Sequence, residues 1–116
     1  MLEQNNTIIA CDLNAIQPDE RQQHMLTAQE LFAAITEVQE LADGYAFRLP
    51  TETLTLNSAA NFIANERKCC PFFDFTLKVG TQSGLWLSLT GNDEVKQFVR
   101  AEFGSLVKFD FEAAQG

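Results

Sequence analysis

Basic residues are scarce in this chain: 8 lysines and arginines stand against 16 acidic residues, giving a net charge of −8. A field of that sign repels phosphate, and the basic residues are scattered. Neither nucleic acid nor an anionic membrane is therefore an expected partner. No apolar run approaches the roughly 20 residues that cross a bilayer. The opening Met1-Leu2-Glu3-Gln4-Asn5-Asn6 lacks the basic start and apolar core of a secretory signal. Histidine occurs once, at His24, and no Cys-x-x-Cys is present, so the ligand spacing of an ordinary zinc site is missing. There is also no carboxylate pair, glycine-rich phosphate loop, Ser/His/Asp arrangement or cofactor fingerprint. Cysteine is sparse and odd in number, at Cys11, Cys69 and Cys70. An odd count with no signal predicts free thiols in a reducing compartment, hence a cytoplasmic protein.

What is present is globular in character. The 116 residues suit one domain, expected to span 1–116 with an ordered core over about 7–105 and flexible termini. At this size folding removes roughly two-thirds of the chain's surface from water, so no covalent staple is required. Phenylalanine occurs ten times against one Tyr and one Trp. It offers large apolar area with no polar handle, so most of these rings are expected in a core.

The order of elements follows from spacing. Thr7 to Leu13 is apolar and β-branched enough for a short strand. Pro18, Asp19 and Glu20 read as a helix start, and Met25, Ala28, Phe32 and Ile35 recur at helical spacing over residues 18–34. Residues 36–50 read as a hairpin turning at Asp43-Gly44, with Tyr45, Phe47 and Leu49 alternating after it. A second helix is expected to begin near residues 55–57, with Leu56, Ala59, Ala60, Phe62 and Ile63 inward, and to end at Pro71. Phe73, Phe75, Leu77 and Val79 alternate as a strand, and a turn over Gly80 to Gly84 leads to Leu85, Leu87 and Leu89 on the next. Asn92 caps a third helix carrying Val95, Phe98, Val99 and Phe103, and Gly104 suits its end. Val107, Phe109 and Phe111 then alternate, as an edge strand or as packing residues. Hairpins imply antiparallel pairing, and amphipathic helices must cover one face of the sheet. The expected fold is an α+β two-layer sandwich, ordered strand, helix, hairpin, helix, hairpin, helix.

Chemistry concentrates in Glu66-Arg67-Lys68-Cys69-Cys70-Pro71-Phe72-Phe73, which admits four readings. Free cysteine is commonly buried, so the pair can simply pack the helix-to-strand corner. As thiolates, Cys69 and Cys70 suit a soft metal or metalloid ion, with Cys11 as a third ligand if the first strand runs alongside. Adjacent ligands diverge, which favours a linear or trigonal thiophilic ion over zinc. For thiol redox chemistry, Arg67 and Lys68 promote a thiolate while the negative helix end opposes it. Finally, Glu66 stands three and four residues before the cysteines, on the same helix surface. With Phe72 and Phe73 it can frame an organic ligand, although pairing with Arg67, Lys68 or Arg48 at the surface is the commoner outcome. His24 is expected at the surface or partly packed, and Trp86 on the sheet face opposite Leu85 and Leu87.

The same segment, with Leu85-Trp86-Leu87, Thr90-Gly91, Asp43-Gly44-Tyr45 and the early Cys11, resembles a small family of uncharacterised bacterial proteins carrying a Glu-Arg-x-Cys-Cys-Pro-Phe motif. The resemblance covers roughly residues 10–105 and singles out Glu66, Arg67, Cys69, Cys70 and Cys11. It implies a single-domain bacterial cytosolic protein and supplies no reaction. The leading expectation is a thiol-based binding protein for a soft metal or metalloid ion. Cys69, Cys70 and Cys11 are its candidate metal ligands, and Glu66 and Arg67 its candidate ligand-binding residues. The alternatives are a homo-oligomeric structural or interaction protein with packed cysteines, and a cysteine-dependent redox enzyme for which His24 is the only available base.

Overall fold

The structure, a computed structural model, describes residues 12–104, 106 and 107. Proline in the first turn, with Asp19 and Glu20 at the positive dipole end, starts helix α1, Pro18–Ala33. Its inward stripe is His24, Leu31 and Phe32 with Ala28 half-buried, continued by Ile35 just past its end. The expected Met25 is instead 49% exposed. Spacings of 24, 28, 31, 35 and of 25, 28, 32, 35 are equally helical, and packing against the next helix selects the first.

The hairpin follows as expected: β1, Glu37–Leu41, and β2, Gly44–Leu49, pair antiparallel. Gly44 approaches the neighbouring strand so closely that a side chain would strike the Leu89 carbonyl. Helix α2, Thr53–Cys69, starts two to four residues earlier than expected. It buries Ala59, Phe62, Glu66 and Cys69, whereas Ala60 faces water. Cys70 leaves helical geometry at φ −126°, ψ 71° before Pro71, while its N–H still bonds to the Glu66 carbonyl at 2.7 Å.

A second hairpin of β3, Asp74–Gly80, and β4, Gly84–Thr90, turns at Gly84, whose φ of +90° favours glycine. Helix α3, Asp93–Phe103, is capped by the Asn92 side chain, which accepts the Val95 N–H at 2.9 Å, and buries Val95, Val99 and Phe103. Gly104 follows at φ −58°, so the helix ends without a left-handed residue.

The four strands form one antiparallel sheet in the order β1-β2-β4-β3. Register fixes which side chains share a face. Val38, Phe47, Leu87 and Leu77 make one apolar row across the sheet, and Tyr45, Leu89 and Phe75 make the next. Gln39, Ala46, Ser88 and Thr76, then Glu37, Arg48, Trp86 and Lys78, form rows on the other face. That face is polar, with the Arg48 guanidinium over the Trp86 ring at 5.9 Å. The helices cover the apolar face, and the two-layer α+β arrangement is as expected. Between the layers Phe62, Phe32 and Phe103 pack ring against ring, each at most 4% exposed. Val79, expected inward, sits at the hairpin end of edge strand β3 and is 58% exposed.

The expected strand over residues 7–13 is corrected in its described part. Leu13–Ala15 form one 3-10 turn, capped by the Asp12 carboxylate, which accepts the Asn14 N–H at 3.0 Å. Arg21 holds that turn by donating to the Leu13 and Ile16 carbonyls. Residues 7–11 lie outside the described residues, as do Phe109 and Phe111 of the expected tail, while Val107 is buried. Among the described residues no helix is long and apolar enough to cross a membrane.

Candidate functional site

Where α1 packs on α2, the apolar interior contains a polar cluster. His24 comes from α1, and Glu66 and Cys69 come from successive turns of α2, three residues apart and hence on one helix face. His24 is 4% exposed, Glu66 5%, Cys69 1% and Cys70 0%. His24 Nε2 lies 2.7 Å from Glu66 Oε1. With the carboxylate ionised, Nε2 must carry the hydrogen, because a carboxylate only accepts. The imidazole stacks on Phe62, with ring centres 5.6 Å apart. Its Nδ1 is buried and has no hydrogen-bond partner. In the neutral ring that atom presents a lone pair.

The sulfurs gather on the same carboxylate. Cys69 Sγ donates to Glu66 Oε1 at 3.6 Å, Cys70 Sγ contacts Oε2 at 3.2 Å, and the two sulfurs are 3.7 Å apart. Cys69 is a free thiol, whereas Cys70 is disulfide-bonded. The expectation of free thiols throughout is corrected accordingly: the adjacent pair offers one titratable sulfur.

Burial pushes the Cys69 thiol up from its ordinary 9.0 to about 12, and the negative charge and hydrogen bond of Glu66 add to the shift. Cys69 is therefore protonated at neutral pH. Arg67 and Lys68, expected to promote a thiolate, are both exposed, while the carboxylate that faces the sulfur has the opposite effect.

Because the folded value lies above the unfolded one, the neutral thiol supports the fold fully below about pH 9. That support is lost as pH rises from 9 toward 12. At about 1.4 kcal/mol per unit the loss reaches up to about 4 kcal/mol over the three units. Denaturation midpoints measured between about pH 8 and 10.5 are expected to fall further for the parent than for Cys69→Ala. Equal falls in the two proteins would refute the assignment.

One ligand atom from each of His24, Glu66 and Cys69 lies within 4.8 Å of the other two, a grouping that can hold a single ion. The three residues also line a cavity of about 450 Å³ walled by Leu13, Met25, Ala28, Phe98, Phe103 and Leu106. Cys70 does not line it. Asp12 closes the end of α2 by donating its N–H to the Cys69 carbonyl at 2.8 Å.

Of the expected site residues, Glu66, Cys69 and Cys70 meet. Glu66 is corrected from a surface partner of Arg67, Lys68 or Arg48 to a buried partner of His24. Arg67 is exposed and does not line the cavity. Phe72 and Phe73 pack on Phe98 and not at the cavity wall. Cys11 lies outside the described residues. His24, expected at the surface or partly packed, is the residue that sequence reasoning missed. Its only sequence signal is that 24 shares a helical stripe with 28, 31 and 35. Comparison with family models, curated proteins and solved structures finds no match to the chain.

Proposed function

We propose that this protein binds a soft metal or metalloid ion, held by His24, Glu66 and Cys69 in the cavity lined by α1, α2 and α3. The observation that carries the reading is the burial of a carboxylate, an imidazole and a thiol within ligand distance of one another. Packing alone accounts for two buried sulfurs, whereas the carboxylate and imidazole beside them satisfy one another at 2.7 Å and leave the buried His24 Nδ1 without a partner, which is unfavourable for a polar atom. An ion would give that nitrogen a partner, and its charge would offset the carboxylate and the thiolate it creates.

Mixed nitrogen, oxygen and sulfur donors suit thiophilic and borderline ions, and hard ions such as Mg²⁺ poorly. Three donors lining a cavity of this size leave a coordination position free. Glu66, bonded to the imidazole Nε2, also fixes the ring's orientation, as carboxylates do beside metal-binding histidines. The likeness to the Glu-Arg-x-Cys-Cys-Pro-Phe motif points to the same Glu66 and Cys69. The cytoplasmic setting read from the cysteine count belongs to this proposal too: a reducing compartment would open the Cys70 disulfide and add a thiol 3.7 Å from that of Cys69.

The test is metal uptake by chelator-free protein offered Hg²⁺, Zn²⁺ or arsenite, with thiols counted before and after. One ion per chain with concurrent loss of Cys69 reactivity is expected. No uptake of any ion, with Cys69 reactive only after denaturation, would refute the reading. A second reading, thiol–disulfide chemistry, is favoured by the 3.7 Å between the Cys69 thiol and the Cys70 disulfide sulfur. The raised Cys69 value opposes it, because the attacking species is the thiolate.

A further inference from the structure

The volume beside Cys69 far exceeds what an ion needs. Resting on the ion-binding reading, we infer that the ligand is a soft cation that keeps one organic group, such as an arylmercury(II) or alkylmercury(II) species.

A cavity of about 450 Å³ is more than ten times the ~30 Å³ share of one water in the liquid. It falls within the ~300–1,000 Å³ range of clefts that hold organic ligands. Its walls match that chemistry. Met25, Ala28, Phe98, Phe103 and Leu106 present aliphatic, thioether and aromatic surface, and the polar side chains beside them are the three donors with the exposed Gln29 and Glu102. An ion alone would leave those walls against water, and an ion with an organic substituent buries them.

The number of sulfurs points the same way. Cys69 alone among the described cysteines faces the cavity, with Cys70 outside its lining. A bare two-coordinate soft ion takes two thiolates, but a monosubstituted cation needs only one, because carbon occupies its second position. The substituent then extends from Sγ into the cavity, opposite the sulfur. In the binding step the Sγ–metal bond forms as the S–H bond breaks, and the proton leaves to solvent. The metal–carbon bond stays intact and no electron is transferred. His24 and Glu66 stand beside the metal as weaker donors, and the buried Nδ1 of His24 has no hydrogen-bond partner.

The experiment uses phenylmercury(II) and Hg²⁺ as separate probes, each in competition with a small monothiol, on the full chain and on two variants that fill the cavity and keep all three donors. Ala28→Phe occupies the space from within α1. Met25→Trp does so from a side chain 49% exposed, where a larger residue is compatible with folding. Expected are one phenylmercury per parent chain, a tenfold or greater loss of that affinity in the variants, and nearly unchanged Hg²⁺ affinity. Parent protein that takes Hg²⁺ but not phenylmercury overturns this inference and leaves the ion site standing. So does phenylmercury binding that neither variant weakens. Failure to bind either probe instead sinks the ion-binding reading itself.

Discussion

Replacing Cys69 with alanine is expected to weaken Hg²⁺ binding about a hundredfold or more, since losing even a supporting partner of a metal ligand costs on the order of 10–100-fold. Cys69 carries the one free thiol of the adjacent pair and lines the cavity where His24 and Glu66 meet it. Its sulfur is the softest donor there, and nothing else in the trio replaces a thiolate for a thiophilic ion. Alanine removes one sulfur from a packed position, so the fold is expected to persist, as circular dichroism would check. Arg67→Ala is the informative control. Arg67 belongs to the same sequence motif but is exposed and away from the cavity, and its removal is expected to leave binding unchanged. Affinities measured by competition against a small thiol decide the matter. A Cys69→Ala protein that binds as the parent does would remove the thiol from the site, and an Arg67 effect as large as that of Cys69 would move the site to the exposed side of α2.

The second large effect concerns stability. His24→Leu leaves the Glu66 carboxylate buried without its 2.7 Å imidazole partner. Stranding one half of a buried pair costs about 3–5 kcal/mol, a large part of the roughly 5–15 kcal/mol by which a domain is stable. The double variant His24→Leu, Glu66→Leu behaves differently. Two apolar side chains of similar size next to Phe62 remove the desolvation penalty together with the interaction, and the result is expected near the parent's stability or above it. Urea denaturation of the two single variants and the double variant measures this directly, with the coupling read as the departure from additivity. Additive losses would show that His24 and Glu66 do not act as a pair. A stable double variant that binds no Hg²⁺ would establish that the pair serves the ion and is dispensable to the fold.

The sequence alone determined the frame of this protein, because period is a local property. The alternation of Tyr45, Phe47 and Leu49, and of Leu85, Leu87 and Leu89, fixed which face of each strand is buried, and the turn residues Asp43-Gly44 and Gly80 to Gly84 fixed both hairpins. Pro18, Asn92 and Pro71 set helix limits, for each acts on the backbone at its own position. The Glu66 to Cys70 segment was visible too, since helical spacing by itself puts Glu66 beside both cysteines.

Tertiary structure decided the rest. Whether α1 turns Met25 or His24 inward is one residue of helical phase, and only the surface of α2 selects between them. That selection brings together residues 42 apart in the chain and makes His24 a partner of Glu66, a pairing no local pattern encodes. It also takes Glu66 away from the nearby arginines and lysine that water would have let it choose. The state of Cys69 depended on the same packing. Its basic sequence neighbours suggest an activated thiolate, but burial beside a carboxylate produces a protonated thiol, because electrostatic environment follows distance in space and not distance along the chain.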